Sequence, residues 1–131
     1  MKKRYLALLC GSLAIAANTA LADGWPMSVV GTYSVLGNQH AGTLRITSQG
    51  ASGLCRRIVG SIYNYEPIEG FYCPYSGRIH FVRKSAANND TTQVWTGNLS
   101  QAGPVLRVGG TFTAVNAAGG SLGEYNFNAS K

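Results

Sequence analysis

Apolar and polar residues alternate along most of this chain with a period close to two. From Ser28 onward, short runs of this alternation are separated by clusters of Gly, Asn, Ser and Pro. Such a rhythm is typical of antiparallel strands, and no segment has the 3.6-residue period of a helix. The pattern predicts eight strands, over residues 28–36, 41–48, 57–63, 68–74, 78–84, 91–100, 105–114 and 123–129.

The segments between the predicted strands are short and rich in turn-forming residues. Examples are Gly37-Asn38, Tyr75-Ser76-Gly77 and Gly119-Gly120. Short loops of this kind join neighbouring antiparallel strands, and they leave no room for the helical crossovers of a parallel sheet.

Several predicted strands carry a glycine near the middle, namely Gly60, Gly70, Gly97 and the pair Gly109-Gly110. Repeated strand glycines mark the bends that let a sheet curl and close. We therefore expect an all-β fold, in which residues 23–131 form a single domain, an eight-stranded antiparallel up-and-down barrel. A two-sheet sandwich is the structural alternative.

The first 22 residues have the pattern of a secretory signal peptide. A basic start at residues 2–4 precedes an apolar run, and Ala20-Leu21-Ala22 forms an A-x-A cleavage site before Asp23. The run is shorter than the roughly 20 apolar residues that a transmembrane helix needs. We expect the leader to be removed, Cys10 to leave with it, and the mature protein to be periplasmic or secreted.

Removal of the leader changes the charge of the protein. The whole chain has a net charge of +6, from 11 Lys and Arg against 5 Asp and Glu, and 3 of the basic residues lie in the leader, which leaves 8 against 5, a net charge of +3. The remaining basic residues are scattered along the sequence, whereas nucleic-acid binding calls for a dense basic stripe. We therefore expect neither a nucleic acid nor a membrane as partner.

Two cysteines, Cys55 and Cys73, belong to the predicted mature chain. An exported protein matures in an oxidising compartment, so one structural disulfide is the simplest interpretation. A metal site or a redox pair are the alternatives, but the C-x-x-C spacing is missing and no histidine lies nearby in the sequence. We expect no metal and no cofactor.

The sequence offers no convincing catalytic constellation, so we do not expect an enzyme. His80 alternates with Ile79 and Phe81, which predicts an outward-facing imidazole, and Glu69 is its one candidate partner for acid–base chemistry. An exposed cross-strand pair explains these two residues equally well. No G-x-S-x-G elbow occurs, and acidic residues are too few to favour a pair of catalytic carboxylates.

Short motifs of strand residues follow one another along the mature chain: Val30-Gly31-Thr32-Tyr33, Gly42-Thr43-Leu44-Arg45-Ile46-Thr47, Gly60-Ser61-Ile62-Tyr63, Trp95-Thr96-Gly97, Gly110-Thr111-Phe112 and Tyr125-Asn126-Phe127. In order and spacing they resemble the strands of avidin and streptavidin. The resemblance covers nearly the whole mature chain, although each motif is short. It implies an eight-stranded barrel, usually oligomeric, that binds biotin at one open end.

Several polar positions that contact biotin in that family are not matched here. The first-strand Asn falls on Val35, the third-strand Tyr on Ile62 and the last-strand acid on Tyr125. Each polar group of a buried ligand that stays unpaired costs about 1–3 kcal/mol. We therefore expect this chain to bind biotin weakly or not at all.

The resemblance also implies a small-molecule site in the barrel lumen. The lumenal T-x-W pattern of the sixth strand becomes Gln93-Val94-Trp95, and the family's tryptophans on the fifth and seventh strands correspond to Phe81 and Phe112. The same aromatic residues, together with inward-facing Ile79, Val108 and Phe127, could instead pack the barrel core. The expected ligand-binding residues are Tyr33, Asn64, Phe81, Thr91, Gln93, Trp95, Phe112 and Tyr125.

A second hypothesis is a periplasmic protein inhibitor of a protease or lysozyme that acts through exposed loops or the N-terminal tail. Trp25-Pro26-Met27 could plug one end of the barrel or stay loose. The tyrosine-rich stretch 62–75 could form an exposed recognition cluster, or it could cap a barrel end held by a Cys55 to Cys73 bridge. A homo-oligomer is left open.

Overall fold

The computed structural model describes residues 25–84 and 91–131, which form strands and turns without a helix. Each strand pairs antiparallel with the next one in the chain, and the first pairs with the last, so the sheet closes into a barrel. The predicted eight-stranded up-and-down barrel is confirmed, and the two-sheet sandwich is wrong. The strands are β1 (Gly31–Gly37), β2 (His40–Gln49), β3 (Arg56–Ile62), β4 (Glu66–Cys73), β5 (Arg78–Lys84), β6 (Thr91–Ala102), β7 (Val105–Asn116) and β8 (Ser121–Ser130).

The predicted signal peptide, residues 1–22, lies outside the described residues, as do residues 23 and 24 and the β5–β6 connection at 85–90. Among the described residues, no helix is long and apolar enough to cross a membrane.

Only the range 78–84 is matched at both ends; the other boundaries that differ do so by one to three residues, and two of the shifted starts have a clear physical reason. β1 begins at Gly31 instead of residue 28, because the N–H of Val29 donates to the side chain of Gln49 at 3.0 Å and not to a backbone carbonyl of β2. β4 begins at Glu66 instead of residue 68, so Pro67 is part of a strand. Pro67 lies beyond the last β4–β5 pair, Ile68 with Arg83, where proline is tolerated because the strand edge is free on that side.

Side chains alternate between the inner and outer faces of each strand, and the inner ones fill the barrel interior with large apolar groups. Along β4, for example, every second residue from Glu66 to Tyr72 is buried, and the residues between them are exposed. Burial of a large apolar side chain stabilises the fold by about 1.5–3 kcal/mol. The predicted inward positions are confirmed, because these side chains are all buried: Ile79, Phe81, Trp95, Val108, Phe112 and Phe127.

The two ends of the barrel differ. One end, called here the mouth, carries the β1–β2, β3–β4 and β7–β8 turns. The other, called here the closed end, carries the N-terminal segment 25–30, the β2–β3 loop at 50–55, the β4–β5 turn at 74–77 and the β6–β7 turn.

Candidate functional site

A row of aromatic rings crosses four strands just below the mouth. Phe81, Trp95, Phe112 and Tyr125 are direct cross-strand partners on β5, β6, β7 and β8. The indole of Trp95 stacks between Phe81, at 5.5 Å, and Phe112, at 4.2 Å, with 14° between the planes in both cases. Phe127 meets the indole edge-on at 4.9 Å. Because Trp95 is fully buried, these rings form a floor that closes the lumen beneath the mouth.

A polar network stands on one side of this floor. Arg83 forms an ion pair with Glu66 and donates to Gln93 Oε1 at 2.8 Å. The same Gln93 oxygen accepts the indole N–H of Trp95 at 3.2 Å. The network therefore satisfies the buried indole N–H of Trp95 and connects it to the charged pair at the mouth.

Tyr63 belongs to the β3–β4 turn, and its side chain extends over the mouth. Its backbone has a φ of 53°, in the left-handed region, and its ring lies 4.8 Å from the Arg83 guanidinium carbon. A Cβ on Gly42 would overlap the Tyr63 ring, and a Cβ on Gly37 would lie 2.5 Å from its hydroxyl oxygen, so these two glycines provide the space for the side chain. Burial raises the pKa of the Tyr63 hydroxyl above its ordinary value, and the charge of Arg83 opposes this increase. A strained conformation of this kind occurs often beside binding sites.

Above the floor the mouth opens into a cavity of about 920 Å³, called here the cup. Its wall is polar along β4 to β6 and more apolar along β7 and β8. Ligand pockets commonly combine apolar surface with a few polar groups that fix orientation. The cup is lined by residues that include Gly37, Gly42, Tyr63, Asn64, Glu66, Arg83, Thr91, Gln93, Phe112, Ala114, Leu122 and Tyr125.

The structure gathers most of the predicted ligand-binding residues at the cup. Five of them line it: Asn64, Thr91, Gln93, Phe112 and Tyr125. Phe81 and Trp95 lie in the floor with no exposed surface, so they shape the cup without reaching its interior.

Tyr33 lies elsewhere. Along β1 the inward positions are Tyr33, Val35 and Gly37, and Gly37 is the one at the mouth. Tyr33 is therefore two inward positions deeper, and its hydroxyl donates to the carbonyl of Val29 at 2.8 Å, next to the closed end.

Sequence reasoning missed Glu66 and Arg83 as site residues. Arg83 has the same strand parity as Ile79 and Phe81, which indicates an inward side chain and not one of the scattered surface charges. Glu66 falls in the predicted loop between the strands 57–63 and 68–74. Parity along β5 was the signal that could have found Arg83.

His80 faces outward as predicted, and its Nδ1 lies 3.1 Å from Thr96 Oγ1. It does not pair with Glu69, whose carboxylate accepts two hydrogen bonds from Arg57 instead. The candidate acid–base pair is therefore not formed. Within residues 25–84 and 91–131, no group of three or more His, Cys, Asp and Glu side chains could hold a metal ion.

The N-terminal segment plugs the closed end. The carbonyl of Pro26 accepts a hydrogen bond from the Tyr72 hydroxyl, and the Gln49 amide donates to the carbonyl of Met27 at 2.9 Å. Val29 is completely buried in the core. Of the two arrangements left open for Trp25-Pro26-Met27, the structure has the docked one.

The predicted disulfide between Cys55 and Cys73 is present at this same closed end. If the tyrosine-rich stretch 62–75 capped one barrel end, all of its tyrosines would lie near this bridge. They do not. Tyr63 and Tyr65 lie at the mouth, whereas Tyr72 lies near the bridge. β4 separates the two groups along its whole length, so they form no single cluster.

The chain matches no protein-family model, no curated protein and no solved structure.

Proposed function

We propose that this protein is an exported, avidin-like barrel that binds a small molecule in the cup and catalyses no reaction. The observation that supports it best is the asymmetry of the lumen. Between the described residues, the aromatic floor around Trp95 and the plug at the closed end leave a cavity of about 920 Å³ that opens to solvent at the mouth. The Cys55–Cys73 disulfide supports export, because such bonds persist in oxidising compartments.

The walls of the cup favour a ligand that is partly apolar and carries hydrogen-bonding groups. Phe112 and Tyr125 offer ring surface on one side, and their rings pack together at 5.2 Å. Gln93 and Thr91 offer polar atoms on the other. A cyclic or planar molecule could lie against the rings and direct its polar edge to these side chains.

Biotin is expected to bind weakly or not at all. Val35, at the position where the avidin family has a biotin-contacting Asn, is buried in the core and has no hydrogen-bonding group. Ile62, at the position of the family's third-strand Tyr, is likewise an apolar core residue. The polar groups of a biotin ring would thus stay unpaired at both places.

The test is a thermal-shift screen of the oxidised mature protein with biotin, neutral cyclic ureas, cyclic amides and planar aromatic compounds. A ligand present at 100 times its dissociation constant stabilises the fold by about 2.7 kcal/mol, which such a screen detects. For any compound that shifts the melting temperature, Asn64→Ala and Thr91→Val should reduce its affinity, because both side chains line the cup.

The matched controls are Asn128→Ala and Thr113→Val, which make the same chemical changes on the exposed outer faces of β8 and β7. They should leave the affinity unchanged. The proposal is overturned if no compound of the panel shifts the melting temperature, or if cup and control variants behave alike. Tight biotin binding would refute the part that concerns biotin.

A further inference from the structure

Large hydrophobic side chains project into solvent at the closed end. Trp25 and Met27 come from the N-terminal segment, Leu54 from the β2–β3 loop and Tyr75 from the β4–β5 turn. Leu54 is 77% exposed. We call these four residues the apolar tips. A cluster of this kind on a protein surface often marks an interaction site.

The apolar tips are fixed close to one another by the fold. The Cys55–Cys73 disulfide ties the loop that bears Leu54 to the end of β4, two residues before Tyr75. The indole of Trp25 lies against the β4–β5 turn, where a Cβ on Gly77 would overlap it. Such preorganisation lowers the entropy that is lost when a surface binds its partner.

Basic residues share the closed end with the apolar tips. Eight Lys and Arg residues lie in the described part of the chain, and five of them occupy strand ends or termini on the side of the closed end: Arg56, Arg57, Arg78, Arg107 and Lys131. Among the described residues, Glu69 is the one acidic side chain on this side, and its carboxylate forms an ion pair with Arg57. Charges that are scattered along the sequence are therefore collected at one end of the barrel.

We propose that the closed end docks on a membrane surface that contains anionic phospholipids, and this proposal replaces the expectation, drawn from charges scattered along the sequence, that no membrane is a partner. The cations would meet the phosphates, and the apolar tips would enter the headgroup region, as in other peripheral proteins. Nucleic acid is the less suitable partner: Trp25 and Tyr75 could stack on bases, but Leu54, the most exposed of the four tips, and Met27 offer no ring for a base. The mouth lies at the opposite end, so a docked protein would keep its cup open to solvent. This proposal does not depend on what the cup binds.

The test is co-sedimentation of the oxidised mature protein with vesicles of phosphatidylglycerol and phosphatidylcholine, compared with vesicles of phosphatidylcholine alone. Binding is expected on the anionic vesicles and should weaken as salt is added. The double variant Leu54→Ser/Arg78→Gln should bind at least roughly fivefold more weakly, which is the effect of one lost cation near an anionic surface. Intrinsic fluorescence gives a second readout, since Trp25 is half-exposed and Trp95 is buried. The emission should shift to the blue on binding, and Trp25→Phe should remove the shift.

The matched control is Leu36→Ser/Lys84→Gln, which removes one exposed leucine and one exposed cation near the mouth. It should keep the partition of the unmodified protein, and circular dichroism should show that both double variants are folded. Failure to bind anionic vesicles would overturn the proposal. So would equal losses in the two double variants, or binding to an oligonucleotide or to polyglutamate without any binding to vesicles.

Discussion

Arg83 and Glu66 form an ion pair inside the mouth of the barrel, where their side chains are only 15% and 11% exposed. A second pair of the same chemistry, Arg57 with Glu69, lies on the outer surface with side chains 62% and 65% exposed. Water screens the outer pair, whereas the inner pair has lost most of its hydration. The two pairs therefore allow the effect of burial to be measured within one protein.

Glu66→Gln should destabilise the fold by about 2 kcal/mol, because it leaves a mostly buried guanidinium without its counter-charge. The loss should be smaller than the 3–5 kcal/mol typical of a fully buried pair, since the cup admits water. Glu69→Gln should cost less than about 1 kcal/mol. Urea unfolding of both variants measures the difference. Equal losses would contradict the role assigned to burial.

Two core tyrosines should make stability depend on alkaline pH. Burial raises the pKa of Tyr33 and of Tyr72 from 10.0 to about 12. The folded state thus keeps protons that the unfolded chain releases near pH 10.0, so the stabilisation is complete below that pH and is lost as the pH rises to about 12. The loss should reach roughly 2 kcal/mol for each residue. Urea midpoints across this range, followed together with tyrosinate absorbance, measure it.

The double variant Tyr33→Phe/Tyr72→Phe is the control for this pH effect. It also removes the hydrogen bonds to Val29 and Pro26, so it should be less stable at neutral pH. Its stability should nevertheless change less between pH 10 and about 12 than that of the unmodified protein. A decline of the same size in both proteins would show that other groups cause it.

Removal of the disulfide should lower stability without changing the cup. Cys55 and Cys73 are 18 residues apart, and a cross-link over that distance stabilises by about 3 kcal/mol through the entropy of the unfolded chain. Cys55→Ser/Cys73→Ser should lose that amount in urea unfolding. A ligand found for the cup should bind the folded variant as before, because the bridge is at the opposite end. A change in affinity would contradict this separation of the two ends.

The sequence predicts the fold more completely than it predicts the positions of the site residues. The resemblance to avidin, combined with the two-residue period of a strand, predicts the inward faces of Phe81, Trp95 and Phe112. It could not show that the three are direct cross-strand partners, since register depends on turn geometry and bulges. Glu66 lies outside the predicted strand 68–74, so strand parity could not assign its side chain to the inward face.

The collection of charge at the closed end was beyond sequence reasoning for a similar cause. Arg57 and Arg78 are far apart along the chain, and they share one end of the barrel only because β3, β4 and β5 pair in a fixed register. Strand parity assigns a residue to a face. It does not tell which residues of different strands lie at the same height.

Substitution by alanine should have very different effects on stability at two adjacent glycines of β7. A Cβ on Gly110 would overlap the carbonyl oxygen of Thr96 and lie 2.6 Å from Cα of Gly97, both on β6, whereas a Cβ on Gly109 would meet nothing within 4 Å. Gly110→Ala should therefore cost about 3 kcal/mol or more, since rigid backbone must move. Gly109→Ala should be neutral or stabilise by up to about 1 kcal/mol. Urea unfolding of both variants tests this, and a tolerated Gly110→Ala would mean that β6 and β7 are not as close at this point as the barrel requires.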